Sequence, residues 1–169
     1  MASPASLIPL RSSRSHRNEH RLREYFSSQP SVLVALSGGV DSTLLAVLAA
    51  EELGPRAHAT VGVSASLPKE ALKTVEALAA RFGFSFSSLS TRELSNPRYV
   101  ENAPDRCFHC KEELYRRLRA HADARGLHTL VDGTHPGDLQ GHRPGYSAGK
   151  QWGVQSPFIT LNMNKEQIR

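Results

Sequence analysis

Apolar and polar positions along this chain fall into alternating strand-length and helix-length blocks. Val32-Leu33-Val34-Ala35-Leu36 is a continuous, β-branched apolar run, the pattern of a strand buried on both faces. After a polar, glycine-containing break, Thr43-Leu44-Leu45-Ala46-Val47-Leu48-Ala49-Ala50 has helix length and helix formers, and Gly54-Pro55 stops it. His58 to Val63 reads as a second strand. Pro68 suits the first turn of a helix to Phe82, with apolar residues at Ala71, Leu72, Val75, Leu78 and Ala79 and a stop at Gly83. Phe84 to Leu89, where Phe alternates with Ser, reads as a third strand. A helix from Phe108 to Arg125, closed by Gly126, turns Leu114, Leu118 and Ala122 inward. Thr129-Leu130-Val131 is a fourth strand, Val154 to Phe158 a fifth, and Asn164 caps a helix starting at Lys165. Strands alternating with helices predict an α/β, Rossmann-like fold: a doubly wound, mostly parallel sheet of about five strands.

Between these elements, residues 90–105 form a long loop marked by Asn96-Pro97 and Ala103-Pro104, and 141–145 is turn-rich. Parallel sheets bind ligands at the carboxyl ends of their strands. The break after Leu36, the run Ser64–Pro68, the turn Asp132–Thr134 and Ser156 are therefore expected along one edge.

Length and charge narrow the picture. The 169 residues suffice for one domain with a buried core, taken as 17–169 behind a disordered basic tail over 1–16. Arg17 to Phe26 is expected to add a short amphipathic helix at the sheet edge. No apolar run approaches the ~20 residues of a membrane span. The two cysteines lie too close together for a secreted disulfide framework, so the cytoplasm is the expected location. Residues 1–18, rich in Ser and Arg and lacking acids, bear a faint likeness to an organelle transit peptide. The net charge of +5 owes much to Arg11, Arg14, Arg17, Arg21 and Arg23, which face only Glu19 and Glu24. Such a stretch reads as a solvated arm, and the aromatics are too sparse for a base-stacking platform, so nucleic acid is not the expected partner.

The chemistry concentrates in Ser37-Gly38-Gly39-Val40-Asp41-Ser42, between the first strand and its helix. A strand that enters a helix through two glycines aims backbone N–H groups and a positive helix end at one point, which makes an anion site. Asp41 and Ser42 are expected to cap the helix, and an Asp beside phosphates can also hold Mg²⁺. The spacing is neither that of a Walker A loop nor that of a dinucleotide fingerprint. It resembles the PP-loop of the N-type ATP pyrophosphatases, which cleave ATP between its α and β phosphates.

Further motifs narrow the resemblance. In order they are Ser64-Ala65-Ser66-Leu67-Pro68, Asn96-Pro97-Arg98-Tyr99, Asn102, and Asp105-Arg106-Cys107-Phe108-His109-Cys110-Lys111. Asp132-Gly133-Thr134, Arg143-Pro144-Gly145, Ser156-Pro157 and Lys165 with Ile168-Arg169 follow. Over roughly residues 17–169 the chain resembles the LarE family of ATP-dependent sacrificial sulfur transferases. The resemblance implies an adenine nucleotide alpha hydrolase-like fold and an enzyme that adenylates a carboxylate of a pyridinium mononucleotide. A sulfur donor then displaces AMP, on the way to a nickel-pincer cofactor. By motif position, Ser37, Gly38, Gly39, Val40, Asp41 and Ser42 would hold the pyrophosphate end of ATP, and Ser64 would lie near the adenine. Asp132, Gly133 and Thr134 would lie by the nucleotide and Mg²⁺. Arg106, Lys111 and Arg143 would meet substrate carboxylate or phosphate, and Lys165 and Arg169 would close over the phosphates. The expected partners are ATP, the carboxylate-bearing mononucleotide and further copies of this chain in a homo-oligomer.

Departures from the pattern matter. His135, Gly137 and Asp138 stand where the family reads Asn and then paired acids, which leaves Asp138 beside Asp41 as the acidic Mg²⁺ candidate. Gln151 stands where the family commonly has Glu. Residue 169 falls just before the family's Pro-x-x-x-Cys segment and C-terminal domain, so the expected chain is a PP-loop domain without that cysteine. Cys107 and Cys110 admit three readings: a reactive dithiol at a helix start, two of four ligands for zinc or an iron–sulfur cluster, or two small buried hydrophobes. In LarE-like proteins with this pair, the resemblance implies a four-iron four-sulfur cluster completed by the downstream cysteine. Competing readings of the chain are a tRNA thiolase or amidotransferase-type PP-loop enzyme, and a nucleotide-binding module that needs a partner.

Overall fold

The computed structural model describes residues 13–64, 69–91, 106–139 and 144–168. At its centre is β1 (Val32–Leu36), hydrogen-bonded in parallel to β2 (Ala57–Val63) on one side and β4 (Thr129–Val131) on the other. Beyond these lie β3 (Phe86–Ser90) and β5 (Val154–Gln155), giving five parallel strands in the order β3-β2-β1-β4-β5. The order reverses between β1 and β4, the topological switch point at which doubly wound sheets open a crevice.

Strand periodicity divides the core in two. Val32, Val34 and Leu36 point to one face, where α2 (Val40–Leu53), α3 (Lys69–Phe82) and the N-terminal α1 (Ser13–Ser27) supply Leu45, Leu48, Ala49, Val75, Leu22 and Phe26. Leu33 points to the other face, against Tyr115, Leu118 and Ala122 of α4 (Arg106–Ala124) and Leu130 of β4. Covering both faces explains why β1 is apolar throughout instead of alternating.

Several boundaries differ from the sequence expectation. The first helix begins at Ser13 instead of Arg17, inside the segment expected to be a disordered tail. It is fastened by Arg23, which pairs with Glu19, Glu51 and Glu52, and by Arg21, whose Nη2 donates to the Leu161 carbonyl at 2.8 Å. The turn-rich stretch around Gly145 instead opens a helix, α5 (Pro144–Gln151), with Pro144 at its first position. The fifth strand is only Val154–Gln155, because Pro157 starts the short α6 (Pro157–Thr160). The third strand starts at Phe86, not Phe84, which turns into the core ahead of it. Asn164 caps α7 (Lys165–Ile168) as expected: its Oδ1 accepts the Gln167 N–H at 3.1 Å while Gln167 Oε1 accepts the Asn164 N–H at 2.9 Å, a reciprocal capping box.

Two small residues let α4 sit close. A side chain on Gly62 of β2 would collide with Leu114, and one on Gly149 of α5 would come within 3.3 Å of the Tyr115 ring. Below them, His58 shares a polar cluster with α4. Its ring nitrogens lie 3.1 Å from Ser85 Oγ and 3.0 Å from Ser87 Oγ, and Ser87 Oγ lies 3.2 Å from His121 Nε2. Burial, with Arg125 and His121 nearby, pushes His58 down to about 4. The folded state therefore binds fewer protons here than an unfolded histidine of pKa ~6.5, so the stabilisation is full above that value and is lost as pH falls toward 4. Thermal melts across this window should show the wild type losing melting temperature on acidification and His58→Gln losing less; parallel pH profiles for the two proteins would disprove the assignment.

Candidate active site

The loop between β1 and α2 closes on itself. Ser37 N–H donates to Ser42 Oγ at 3.1 Å, the two hydroxyls lie 3.0 Å apart, and Ser42 Oγ is 3.3 Å from the Gly39 carbonyl. Gly38 turns the chain with φ +79°, a conformation that costs an L-residue about 1–2 kcal/mol, and a Cβ there would approach Val75 to 3.2 Å. The N-cap of α2 is Gly39, with no side-chain cap. This corrects the expectation that Asp41 and Ser42 cap the helix: both lie in its first turn, and Ser42 bonds back into the loop instead. A first turn without a side-chain cap keeps its amides available to an anion.

A cavity of about 230 Å³ opens above this turn, lined among others by Ser37, Asp41, Ser42, Lys111, Thr134 and Asp138. Its floor, from Thr60 and Gly62 of β2 and from Leu114, Tyr115 and Leu118 of α4, was not legible as a site in the sequence. Tyr115 carried a signal nonetheless, since Lys111, Tyr115, Leu118 and Ala122 repeat with helical spacing along one face. Gly133 lets the loop after β4 touch α2, as its Cβ would lie 3.0 Å from the Ser42 nitrogen.

Three carboxylates, Asp41, Asp132 and Asp138, line the site. Asp41 Oδ2 accepts from Lys165 Nζ at 2.6 Å, whereas its Oδ1 is buried without a partner among the described residues. Asp132, 7% exposed, accepts Thr134 N–H at 3.2 Å and Ser156 Oγ at 2.7 Å on Oδ1, and Tyr115 OH and Thr134 Oγ1, both at 2.6 Å, on Oδ2. Burial, then the neighbouring Asp132 charge and hydrogen bond, push the Tyr115 phenol far above its ordinary range. Asp138 Oδ2 accepts the His135 N–H at 3.1 Å, and the buried His135 leaves Nδ1 without a partner.

The structure thus brings together Ser37, Gly39, Asp41, Ser42, Lys111, Asp132, Gly133, Thr134 and Asp138, with Lys165 on Asp41. Gly38 shapes the loop from below, Val40 is exposed beside it, and Ser64 follows β2 at the same end of the sheet. Arg143 and Arg169, with Ser66, Leu67, Pro68, Asn96, Pro97, Asn102 and Asp105, lie outside the described residues, as does the side chain of Arg106. Cys107 is exposed and Cys110 partly buried, both as thiols, which removes the reading of Cys107 as a buried hydrophobe. Among the described residues no group of three or more His, Cys, Asp or Glu could hold a metal ion, so nothing there adds to the cysteine pair. No described helix is long and apolar enough to cross a membrane.

Sequence comparison gives a consistent picture. A family model described as NAD synthase matches residues 15–135. An uncharacterized protein of Synechocystis sp. is 40% identical over 148 residues, which is 88% of this chain and 55% of that protein. The pyridinium-3,5-bisthiocarboxylic acid mononucleotide synthase of Lactiplantibacillus plantarum is 30% identical over 139 residues, 82% of this chain and 50% of that one, in line with the LarE resemblance. The chain spans about half the length of these curated relatives. Among solved structures, an NH3-dependent NAD synthetase from Campylobacter jejuni matches with TM-score 0.68 at 14% identity, over 91% of this chain and 70% of that one. NMN synthetase from Francisella tularensis matches equally at TM-score 0.68 and 14% identity, over 91% and 67%. At such identities these two matches speak to the fold.

A methyl group at position 133 would press on the backbone of the first turn of α2. Gly133→Ala should cost about 1–3 kcal/mol and lower the melting temperature by several degrees. An unchanged melting temperature would show that the close approach of the β4 loop to α2 is not a tight contact.

Proposed function

The chain belongs to the NAD synthase family of PP-loop proteins, and on that premise we propose that it is an ATP pyrophosphatase that adenylates a substrate carboxylate to prepare it for sulfur transfer. The observation that carries this reading is the capless first turn of α2, opening into a cavity that also holds Lys111, Asp41 and Asp138. In the reaction, a carboxylate oxygen attacks the α-phosphorus of ATP, the bond to the β-phosphate oxygen breaks, and pyrophosphate leaves. The acyl adenylate then carries a good leaving group: attack by a sulfur nucleophile at the carbonyl carbon expels AMP and forms the thiocarboxylate.

The chain's own contribution is positioning and charge neutralisation. The amides of the uncapped first turn, Val40 and Asp41, would meet the pyrophosphate, while Ser37 and Ser42 hold the loop in shape, Ser37 Oγ also accepting from the Gly39 N–H at 3.4 Å. Lys111 meets the substrate carboxylate or a phosphate, and Lys165 is within reach of Asp41 and so of any phosphate beside it. Mg²⁺ fits Asp41, whose buried Oδ1 lacks a partner among the described residues, with Asp138 across the cavity. When bound, it neutralises the phosphate charge that builds up as pyrophosphate departs. An iron–sulfur cluster does not fit the described residues, since Cys107 and Cys110 gain no third ligand among them, and no step is assigned to one.

The carboxylate-bearing pyridinium mononucleotide is the proposed substrate, because the Lactiplantibacillus plantarum relative is named for a product of that kind. An amidotransferase-type reading, with ammonia in place of sulfur, draws support from the NAD synthase model and shares the adenylation half. Incubation with ATP, Mg²⁺ and a carboxylated pyridinium mononucleotide should release pyrophosphate, and sulfide or ammonia as the discharging nucleophile separates the two readings. Lys111→Ala and Asp41→Asn should each slow pyrophosphate release by about 10²-fold. ATP binding without release of pyrophosphate or AMP in the presence of any carboxylate would overturn the proposal.

A further inference from the structure

Asp132 lines the cavity, where an acid is readily taken for a cation ligand, yet its lone pairs are committed elsewhere. A carboxylate offers about four lone-pair positions. Here all of them are used: Oδ1 accepts from Thr134 N and Ser156 Oγ, and Oδ2 accepts from Thr134 Oγ1 and Tyr115 OH. The donors come from the loop after β4, the start of α6 and the middle of α4, so one carboxylate joins three segments. Asp41 differs, since one of its oxygens is buried and unpartnered among the described residues.

Of these three tethers, the one to α4 reaches the chemistry. Tyr115 is 2% exposed and lies one helical turn beyond Lys111 on α4. The Lys111 ammonium stands 5.3 Å from the Tyr115 ring centroid, a cation–π arrangement. From the other side α5 confines the same two residues: a Cβ on Gly145 would lie 3.1 Å from Lys111 Cγ, and one on Gly149 would lie 3.3 Å from Tyr115 Cε2. The phenol is thus pinned at its oxygen by Asp132 and at its edge by α5, and its face sets where the ammonium stands.

We propose that Asp132 and Tyr115 are positioning residues that hold Lys111 in the cavity, and that Asp132 is not a ligand for the divalent cation. This deepens the function proposed above and rests on it for the identity of the anion that Lys111 meets. The ring and α5 bias the exposed Lys111 side chain toward one depth along the cavity wall, which favours a substrate whose carboxylate or phosphate reaches that depth.

Two measurements on the intact chain test the proposal. The first needs no nucleotide: trace labelling with acetic anhydride, read peptide by peptide by mass spectrometry, with the exposed Lys73 of α3 as internal standard. Lys111 should label at least about threefold faster in Tyr115→Leu, which loses both ring and anchor, and faster than wild type by a smaller factor in Asp132→Asn and Tyr115→Phe, which keep the ring but weaken or remove the bond that pins it. The second is ATP binding with Mg²⁺ titrated from zero. Asp132→Asn should weaken ATP binding about tenfold in EDTA and at saturating Mg²⁺ alike, with the Mg²⁺ midpoint unchanged. Asp41→Asn should move that midpoint. Unaltered Lys111 labelling in folded Tyr115→Leu would overturn the positioning role. A Mg²⁺ midpoint raised tenfold in Asp132→Asn, with EDTA affinity intact, would make Asp132 a cation ligand and overturn the proposal from the other side. Thermal melts report folding, and the two Tyr115 variants carry the labelling test if Asp132→Asn does not fold. Absence of ATP binding by the wild type would sink the function reading, whereas the labelling result would still decide the tether.

Discussion

Burying a carboxylate with no cation beside it costs several kcal/mol unless its lone pairs are met by donors. Asp132 sits at the carboxyl end of β4 under that constraint, with no ion pair among the described residues, and its donors come from segments that strand pairing and core packing bring to it. Ser156 follows the two-residue β5, Thr134 belongs to the loop after β4, and Tyr115 lies in the middle of a long helix on the far side of the sheet. Removing any donor would leave charge uncompensated, so the three segments are held to one geometry. The cavity walls inherit that geometry, because α4 carries Lys111 and the β4 loop touches the first turn of α2.

Much of this was legible from local pattern. The strand Val32–Leu36, the glycine turn and the helix after it follow from period and composition alone, because β1 is buried on both faces and Gly38 adopts a backbone conformation few residues tolerate. Asn164 announced the last helix for a similar reason, since its capping partner Gln167 is three residues away. What stayed hidden depends on long-range contact. Tyr115 reads as one more helical residue until Asp132 is brought to its hydroxyl, and Lys165 meets Asp41 across 124 positions of sequence. The helix at Pro144 was obscured because two glycines and a proline signal a turn locally, whereas here the glycines serve close packing against α4.

Charge shows the same division between local and global readings. The arginines of the first helix suggest a solvated arm, yet Arg21 and Arg23 fasten α1 to the last part of the chain and to α2. Phe158, Met163 and Ile168 fill the core beside Leu22 and Phe26, so the first and last described elements close the same face. The pairing of Lys165 with Asp41 follows from that closure, since α7 is carried to the PP-loop by the packing beneath it.

Helix α4 is wedged between neighbours that offer no side chain at the points of contact. Gly62 of β2 meets Leu114 on one side, and Gly145 and Gly149 of α5 meet Lys111 and Tyr115 on the other. Atoms already at contact distance can separate but not approach. The cavity wall made by α4 is thus a fixed stop: the helix cannot move toward β2, and α5 opposes movement the other way. A ligand must therefore match the width that α4 sets, which makes this helix the ruler of the cavity.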